Sequence, residues 1–252
     1  MRKALAGVAV LVGFIAPAVA DAATCAGRTA NIVGTPERDV LRGTAGSDVI
    51  QAFAGRDTIR GLRGGDIICA SGGRDFIFPG AGGDRVYAGP GSDVVQARSA
   101  KGNDSYRLGR GADYVEDGRG DDLLRGGRGR DDFILGLSFR SGRDVIRGGP
   151  GRDTVDWART DPFFVDLAAG QAGEPGRLDS IGSIEVAVGN AGADTLLGNG
   201  ARNLLFGFFG PDQIAGRGGD DFLNGGGGTD SLDGGNGTDT CRRGETEINC
   251  EL

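Results

Sequence analysis

The sequence predicts an all-β fold assembled from very short strands and glycine-rich turns that repeat every nine residues. Three observations carry this. Glycine supplies 51 of the 252 residues while proline supplies only 8, an aspartate recurs at nine-residue intervals, and an apolar residue follows two places after that aspartate. Nine is not a helical period, and glycine costs about 1 kcal/mol per position inside a helix. One β-branched or leucine side chain per repeat, flanked by loop-forming glycines, describes a strand with a single core-facing position.

The register is strict. An unbroken series runs Asp39, Asp48, Asp57, Asp66, Asp75, Asp84, Asp93. A two-residue insertion precedes Asp104, Asp113, Asp122 and Asp131, and four further residues precede Asp144 and Asp153. A last block runs Asp194, Asn203, Asp212, Asp221, Asp230, Asp239. Glycine stands two residues before almost every one of these positions, with Glu37 and Ala201 as exceptions. The core-facing residues are Leu41, Ile50, Ile59, Ile68, Ile77, Val86 and Val95 in the first block and Leu196, Leu205, Ile214, Leu223 and Leu232 in the last.

Composition narrows the chemistry. The formal net charge is −7 and the chain has no histidine, so no basic face is available for nucleic acid, and the acidic excess points to cations. Without histidine there is neither an H-E-x-x-H zinc site nor a Ser-His-Asp triad. No Gly-Lys-Ser/Thr sequence follows the glycine loops, which argues against a phosphate cradle. Outside the strict register the spacer acids include Asp161, Asp166, Asp179 and Glu185. They are expected to be surface acids on a β-hairpin, with Trp157, Phe163 and Phe164 forming the spacer core. The chain is therefore expected not to be an enzyme. The alternative is a secreted hydrolase or lyase acting through carboxylates.

Residues 1–20 read as an export signal: Arg2 and Lys3, then the apolar run from Ala4 to Ile15, then the small-x-small site Ala18-Val19-Ala20. The apolar run is short for a membrane span, and Cys25 lacks a lipobox leucine, so a secreted, extracellular chain with no membrane span is expected. The cysteines are Cys25, Cys69, Cys241 and Cys250. An even count in an exported chain suggests disulfides. Of three possible connectivities the layout favours Cys25–Cys69 with Cys241–Cys250; a zinc site would call for tight cysteine pairs.

Several repeats are complete: Gly126-Gly127-Arg128-Gly129-Arg130-Asp131, Gly148-Gly149-Pro150-Gly151-Arg152-Asp153-Thr154-Val155 and Gly234-Gly235-Asn236-Gly237-Thr238-Asp239. From Ile32 to Thr240 the chain resembles the calcium-binding nonapeptide repeats of RTX (haemolysin-type) proteins. The stretch from Val155 to Glu185 is similar to the spacer that often precedes a terminal block of such repeats. The resemblance implies a right-handed parallel β-roll, a solenoid with 18-residue turns, interrupted by a short spacer. It also implies calcium ions held between turns stacked along the same edge. Asp39, Asp57, Asp75 and Asp93 would line one edge, with Asp48, Asp66 and Asp84 on the other. In the last block Asp194, Asp212 and Asp230 would line one edge, and Asn203, Asp221 and Asp239 the other.

The chemistry suits these residues. Calcium takes about six to eight oxygen ligands, glycine turns carbonyls inward without a Cβ clash, and aspartate adds charge on a short arm. Without the ion, carboxylates stacked about 4.8 Å apart repel by roughly 0.9 kcal/mol per pair even at water's dielectric. Calcium binding is then expected to drive folding.

The organisation expected is a signal (1–20), a degenerate N-terminal block (21–100), a middle block (101–155), a spacer (156–186), a C-terminal block (187–240) and a disulfide-closed cap (241–252). In the first block the leading glycine of the motif is replaced at Ala52, Ala70, Pro79 and Ala88, and the second at Thr44, Phe53, Leu62 and Ser71. Strained or weaker turns are expected there. The arginines preceding the acid (Arg38, Arg56, Arg74, Arg130, Arg143, Arg152) are expected to face solvent. The strongest sites are expected at Asp122, Asp131, Asp153, Asp221, Asp230 and Asp239, with Asn203 weaker. A structural, adhesive or cell-surface role is expected, with the macromolecular partner unspecified.

Overall fold

A computed structural model describes residues 23–98, 100–135, 142–174 and 176–251; the expected export signal lies outside them. Among the described residues there are strands and turns but no helix, hence none long and apolar enough to cross a membrane. The strands form two long sheets, of 11 and 14 strands. Successive repeats alternate between them, so each strand pairs in parallel with the strand two repeats on. Ile50 is in register with Ile68, and Leu41 with Ile59. This is a parallel β-solenoid whose turns are 18 residues long, stretched where the sequence inserts residues: Val95 pairs with Val115 and Phe133 with Val155.

The apolar residue of each repeat points between the sheets. Ile59, Ile77, Val95, Val115, Phe133, Val155, Leu205 and Leu223 line one wall, and Ile50, Ile68, Val86, Tyr106, Leu124, Ile146, Leu196 and Leu232 the other. All are buried. One such side chain per nine residues suffices because the stacked copies form an unbroken apolar column, each covering the next.

The spacer is built differently from the expected hairpin. Phe164–Asp166, Gln171–Glu174 and Arg177–Ser180 form a three-stranded antiparallel meander within the 14-stranded sheet. Its outer strands continue the parallel stack on each side, at Val145 with Ser180 and at Phe164 with Thr195. The other sheet passes straight from Thr154–Trp157 to Val186–Val188. Trp157 and Phe163 are buried and stacked, with ring centroids 4.8 Å apart; Phe164 is only half-buried. Arg217 clamps the meander to the last block, reaching both carboxylate oxygens of Asp166 at 2.7 and 2.9 Å.

Both ends are pinned by disulfides, Cys25–Cys69 and Cys241–Cys250, with Cα separations of 5.6 and 5.7 Å. Cys25 lies in a small antiparallel ribbon, Thr24–Cys25 with Arg28–Thr29. The chain after Cys241 adds the last strand, Thr246–Ile248, to the 14-stranded sheet.

Candidate metal centre

The repeat aspartates lie at the turns that carry the chain from one sheet to the other, and all but the half-exposed Asp39 are buried. Each is held the same way: the backbone N–H of one aspartate donates to Oδ1 of the aspartate on the next turn. On one edge Asp39 donates to Asp57, Asp57 to Asp75, and Asp75 to Asp93, each at 2.8 Å. The series continues through Asp113 and Asp131 to Asp153. On the other edge the same bond links Asp48, Asp66, Asp84, Asp104, Asp122 and Asp144. In the last block it links Asp194, Asp212 and Asp230, and separately Asn203, Asp221 and Asp239. The two edges are those the resemblance implies.

Four acids outside the nine-residue register complete these ladders. Asp144 donates to Asp179 Oδ1 and Asp153 to Glu185 Oε2, both at 2.9 Å. At the C-terminal end Asp230 donates to Glu245 and Asp239 to Glu251. The expectation that Asp179 and Glu185 are surface acids on a hairpin is therefore corrected. Asp179 is 5% exposed, because the meander returns the chain to the edge where Asp144 presents an unused N–H. Asp161 is exposed and Asp166 is half-buried in the Arg217 pair. The arginines that precede the acids are all exposed.

The second carboxylate oxygen carries the chemistry. Oδ2 of Asp57, Asp66, Asp75, Asp84, Asp93, Asp113, Asp122, Asp131, Asp144, Asp153, Asp212, Asp221, Asp230 and Asp239 is buried with no hydrogen-bond donor. A buried carboxylate oxygen without a partner is costly, and a cation is the group that relieves it. Where the first residue of the motif is glycine, oxygens form a cradle, crowding the place a side chain would take, whereas Ala52, Ala70, Pro79, Ala88 and Leu108 put a side chain there at Asp57, Asp75, Asp84, Asp93 and Asp113. A Cβ at Gly225 would stand 2.5 Å from Asp230 Oδ2, and one at Gly216 would stand 2.5 Å from the Gly234 carbonyl on the next turn. Carboxylate and carbonyl oxygens converging where a side chain is excluded fit a hard cation such as calcium. Among the described residues no three acidic or cysteine side chains come together. An ion here would thus draw most of its ligands from backbone carbonyls.

Electrostatics agree. Burial pushes the carboxyls of Asp93, Asp104, Asp153 and Asp212 up to about 7. Burial and then the charge of Asp179 push Asp144 up to about 8.

The second-glycine position, four residues before the acid, takes a left-handed backbone at most turns. Phe53, Leu62, Ser71, Phe208 and Arg217 adopt it with φ of 73°, 81°, 74°, 76° and 72°, each at roughly 1–2 kcal/mol. The expected strain in the first block is thus present at Phe53, Leu62 and Ser71, yet Oδ2 of Asp57, Asp66 and Asp75 is left free as at the glycine turns. The order of sites shifts. Asp212 has glycine at the cradle (Gly207) and a free Oδ2 despite Phe208. Asp122 also has a donor-free Oδ2 and a carboxyl raised by burial to about 6, but the buried Asp117 stands in its cradle position in place of glycine. Asp104 Oδ2 is taken by the Tyr106 hydroxyl at 2.8 Å.

Compared with known proteins, the chain matches the family profile described as the RTX calcium-binding nonapeptide repeat over residues 33–68, 66–95, 100–136, 140–156, 182–207 and 206–241. No curated protein matches it.

Proposed function

The chain belongs to the RTX calcium-binding nonapeptide-repeat family, and from that premise we propose that it is a secreted protein whose folding is driven by calcium and whose folded roll serves a structural or adhesive role. The observation that carries this is the row of buried, donor-free Oδ2 atoms along both edges. Stacked carboxylates within one turn of each other repel when ionised, and each repeat offers one apolar side chain against that repulsion. An ion between turns reverses the sign of the interaction. At an extracellular calcium level about ten times a Kd in the millimolar range, each occupied site adds about 1.4 kcal/mol, so several sites decide whether the chain folds.

The adhesive role is supported by the outer face of the 11-stranded sheet. Phe208 and Phe209 are 52% and 66% exposed, and a groove of about 410 Å³ beside Phe208 is lined by Tyr114, Asp132, Asp156 and Val188. Exposed aromatics next to a groove favour contact with a macromolecule. The proposal includes no catalytic step: Asp179 and Glu185 are engaged in the ladders and Asp166 with Arg217.

The test is a calcium titration followed by far-ultraviolet circular dichroism. β-Structure should develop with added calcium and be lost to chelator; β-structure indifferent to both would refute calcium-driven folding. Incubation with polysaccharides is expected to give no cleavage.

A further inference from the structure

Not every turn leaves its acid open. At four of them the residue four places before the acid is Thr35, Thr44, Asn190 or Asn199, and its backbone N–H is turned onto the side-chain oxygen. Thr35 donates to Asp39 Oδ2 and Thr44 to Asp48 Oδ2 at 2.6 Å, Asn190 to Asp194 Oδ2 at 2.7 Å, and Asn199 to Asn203 Oδ1 at 2.8 Å. The threonine hydroxyls donate to the same carboxylates, at 3.1 and 2.9 Å. The side-chain oxygen of each of the four then accepts the N–H two residues on: Glu37, Gly46, Gly192 and Ala201, at 3.2, 3.1, 2.6 and 2.8 Å. None of the four has a positive φ. At Phe53, Leu62, Phe208 and Arg217, by contrast, the left-handed backbone leaves Oδ2 without a donor.

We infer that the turns at Asp39, Asp48, Asp194 and Asn203 bind no calcium and hold their shape by their own hydrogen bonds, so that each run of calcium-requiring turns starts from a pair of metal-independent ones. This rests on the reading that the open turns hold calcium. An N–H aimed at the carboxylate already meets the need a cation would meet, and it presents its positive end where the ion would sit. At Asn203 the negative charge is absent as well. Placement supports a templating role: Asp39 and Asp48 are the first two turns of the register, and Asp194 and Asn203 are the first two after the spacer. The closed turns also position the first open ones. The N–H groups of Asp39 and Asp48 hold Oδ1 of Asp57 and Asp66 at 2.8 and 2.9 Å. Those of Asp194 and Asn203 hold Asp212 and Asp221 at 2.9 and 2.7 Å.

The residue type explains the choice. Threonine is β-branched and resists a positive φ, while the oxygens of threonine and asparagine accept the local N–H that fixes the closed turn. Substitution should therefore convert one kind into the other in the full chain. Phe208→Thr places a closing residue two before Gly210 in the Asp212 turn; Phe208→Gly removes the same ring but keeps the turn open. Asn190→Gly opens the Asp194 turn. Bound calcium would be counted by equilibrium dialysis with radioactive calcium, and folding at saturating calcium checked by circular dichroism.

The threonine variant is expected to bind fewer ions than the glycine variant, or to bind at the altered site roughly tenfold to a hundredfold more weakly, as expected for one hydrogen bond to a charged group. Asn190→Gly is expected to raise the count. If the two Phe208 variants bind alike and Asn190→Gly gains nothing, the inference falls while calcium binding by the roll stands. If the unaltered chain binds no calcium, the proposed function falls and this inference falls with it.

Discussion

The backbone N–H of Asp144 donates to Oδ1 of Asp179 at 2.9 Å, joining residues 35 apart in sequence where the rungs between repeat acids join residues 18 to 22 apart. The spacer thereby supplies the acid that the nine-residue register lacks. Replacing Asp179 with alanine leaves a buried N–H without an acceptor and is expected to cost about 1–3 kcal/mol in denaturant unfolding. Asp179→Asn keeps an acceptor and removes the charge facing Asp144, so in chelator it should be tolerated far better. Equal losses for the two variants would show that the hydrogen bond is not what matters there.

Acid and calcium are expected to act as alternatives. The carboxyls raised by burial, from about 6 at Asp66 and Asp221 through about 7 at Asp93 and Asp212 to about 8 at Asp144, favour the folded state when protonated. Their contribution is complete below the ordinary aspartate value of 3.8 and is lost as pH rises through the range 6–8. Asp166, held low chiefly by its hydrogen bonds from Arg217, runs the opposite way but is one group among many. In chelator, β-structure measured by circular dichroism should increase as pH falls from about 8 to about 5. Calcium binding at neutral pH should release protons. Loss of β-structure on acidification in chelator would contradict this.

Two glycines should respond very differently to alanine. A Cβ at Gly225 would press on the Arg243 carbonyl and on Asp230 Oδ2, whereas one at Gly200 meets nothing within 4 Å. Gly225→Ala is expected to destabilise by about 1–3 kcal/mol and to weaken calcium binding in the last block. Gly200→Ala should stay within about 0.5 kcal/mol. Thermal unfolding at fixed calcium compares them directly.

The C-terminal bridge holds Glu251 beside Asp239. Replacing Cys241 and Cys250 with serine is expected to cost about 2–3 kcal/mol, and the loss should be local. Hydrogen exchange should quicken at the N–H groups of Asp230 and Asp239, which donate to Glu245 and Glu251, while the N–H of Asp113 keeps its protection. Uniform acceleration along the roll would argue for global destabilisation instead.

The nine-residue spacing of Asp39 through Asp93 was legible in the sequence, and the two repeats per turn that the family resemblance implies then placed these acids on two alternating edges. The inward residues such as Ile59 and Leu223 were equally legible, and so were the paired cysteines. Asp179, Glu185, Glu245 and Glu251 were not, since they join the ladders at separations of 35, 32, 15 and 12 residues and obey no period. The closed turns did leave a trace: Thr44-Ala45-Gly46-Ser47-Asp48 and Asn190-Ala191-Gly192-Ala193-Asp194 share a threonine or asparagine four before the acid.

The sequence by itself determined the all-β repeat, its register, the column of apolar residues and the acid of each nine-residue repeat but the one at Asn203, because a covalent period becomes a spatial one when similar units stack. Tertiary structure alone decided which oxygen meets which N–H. Whether Asp212 stands open and Asp194 closed depends on the sign of φ at Phe208 and Asn190. That sign is set by the balance between backbone strain and a local hydrogen bond, and it becomes visible only once the turn is folded.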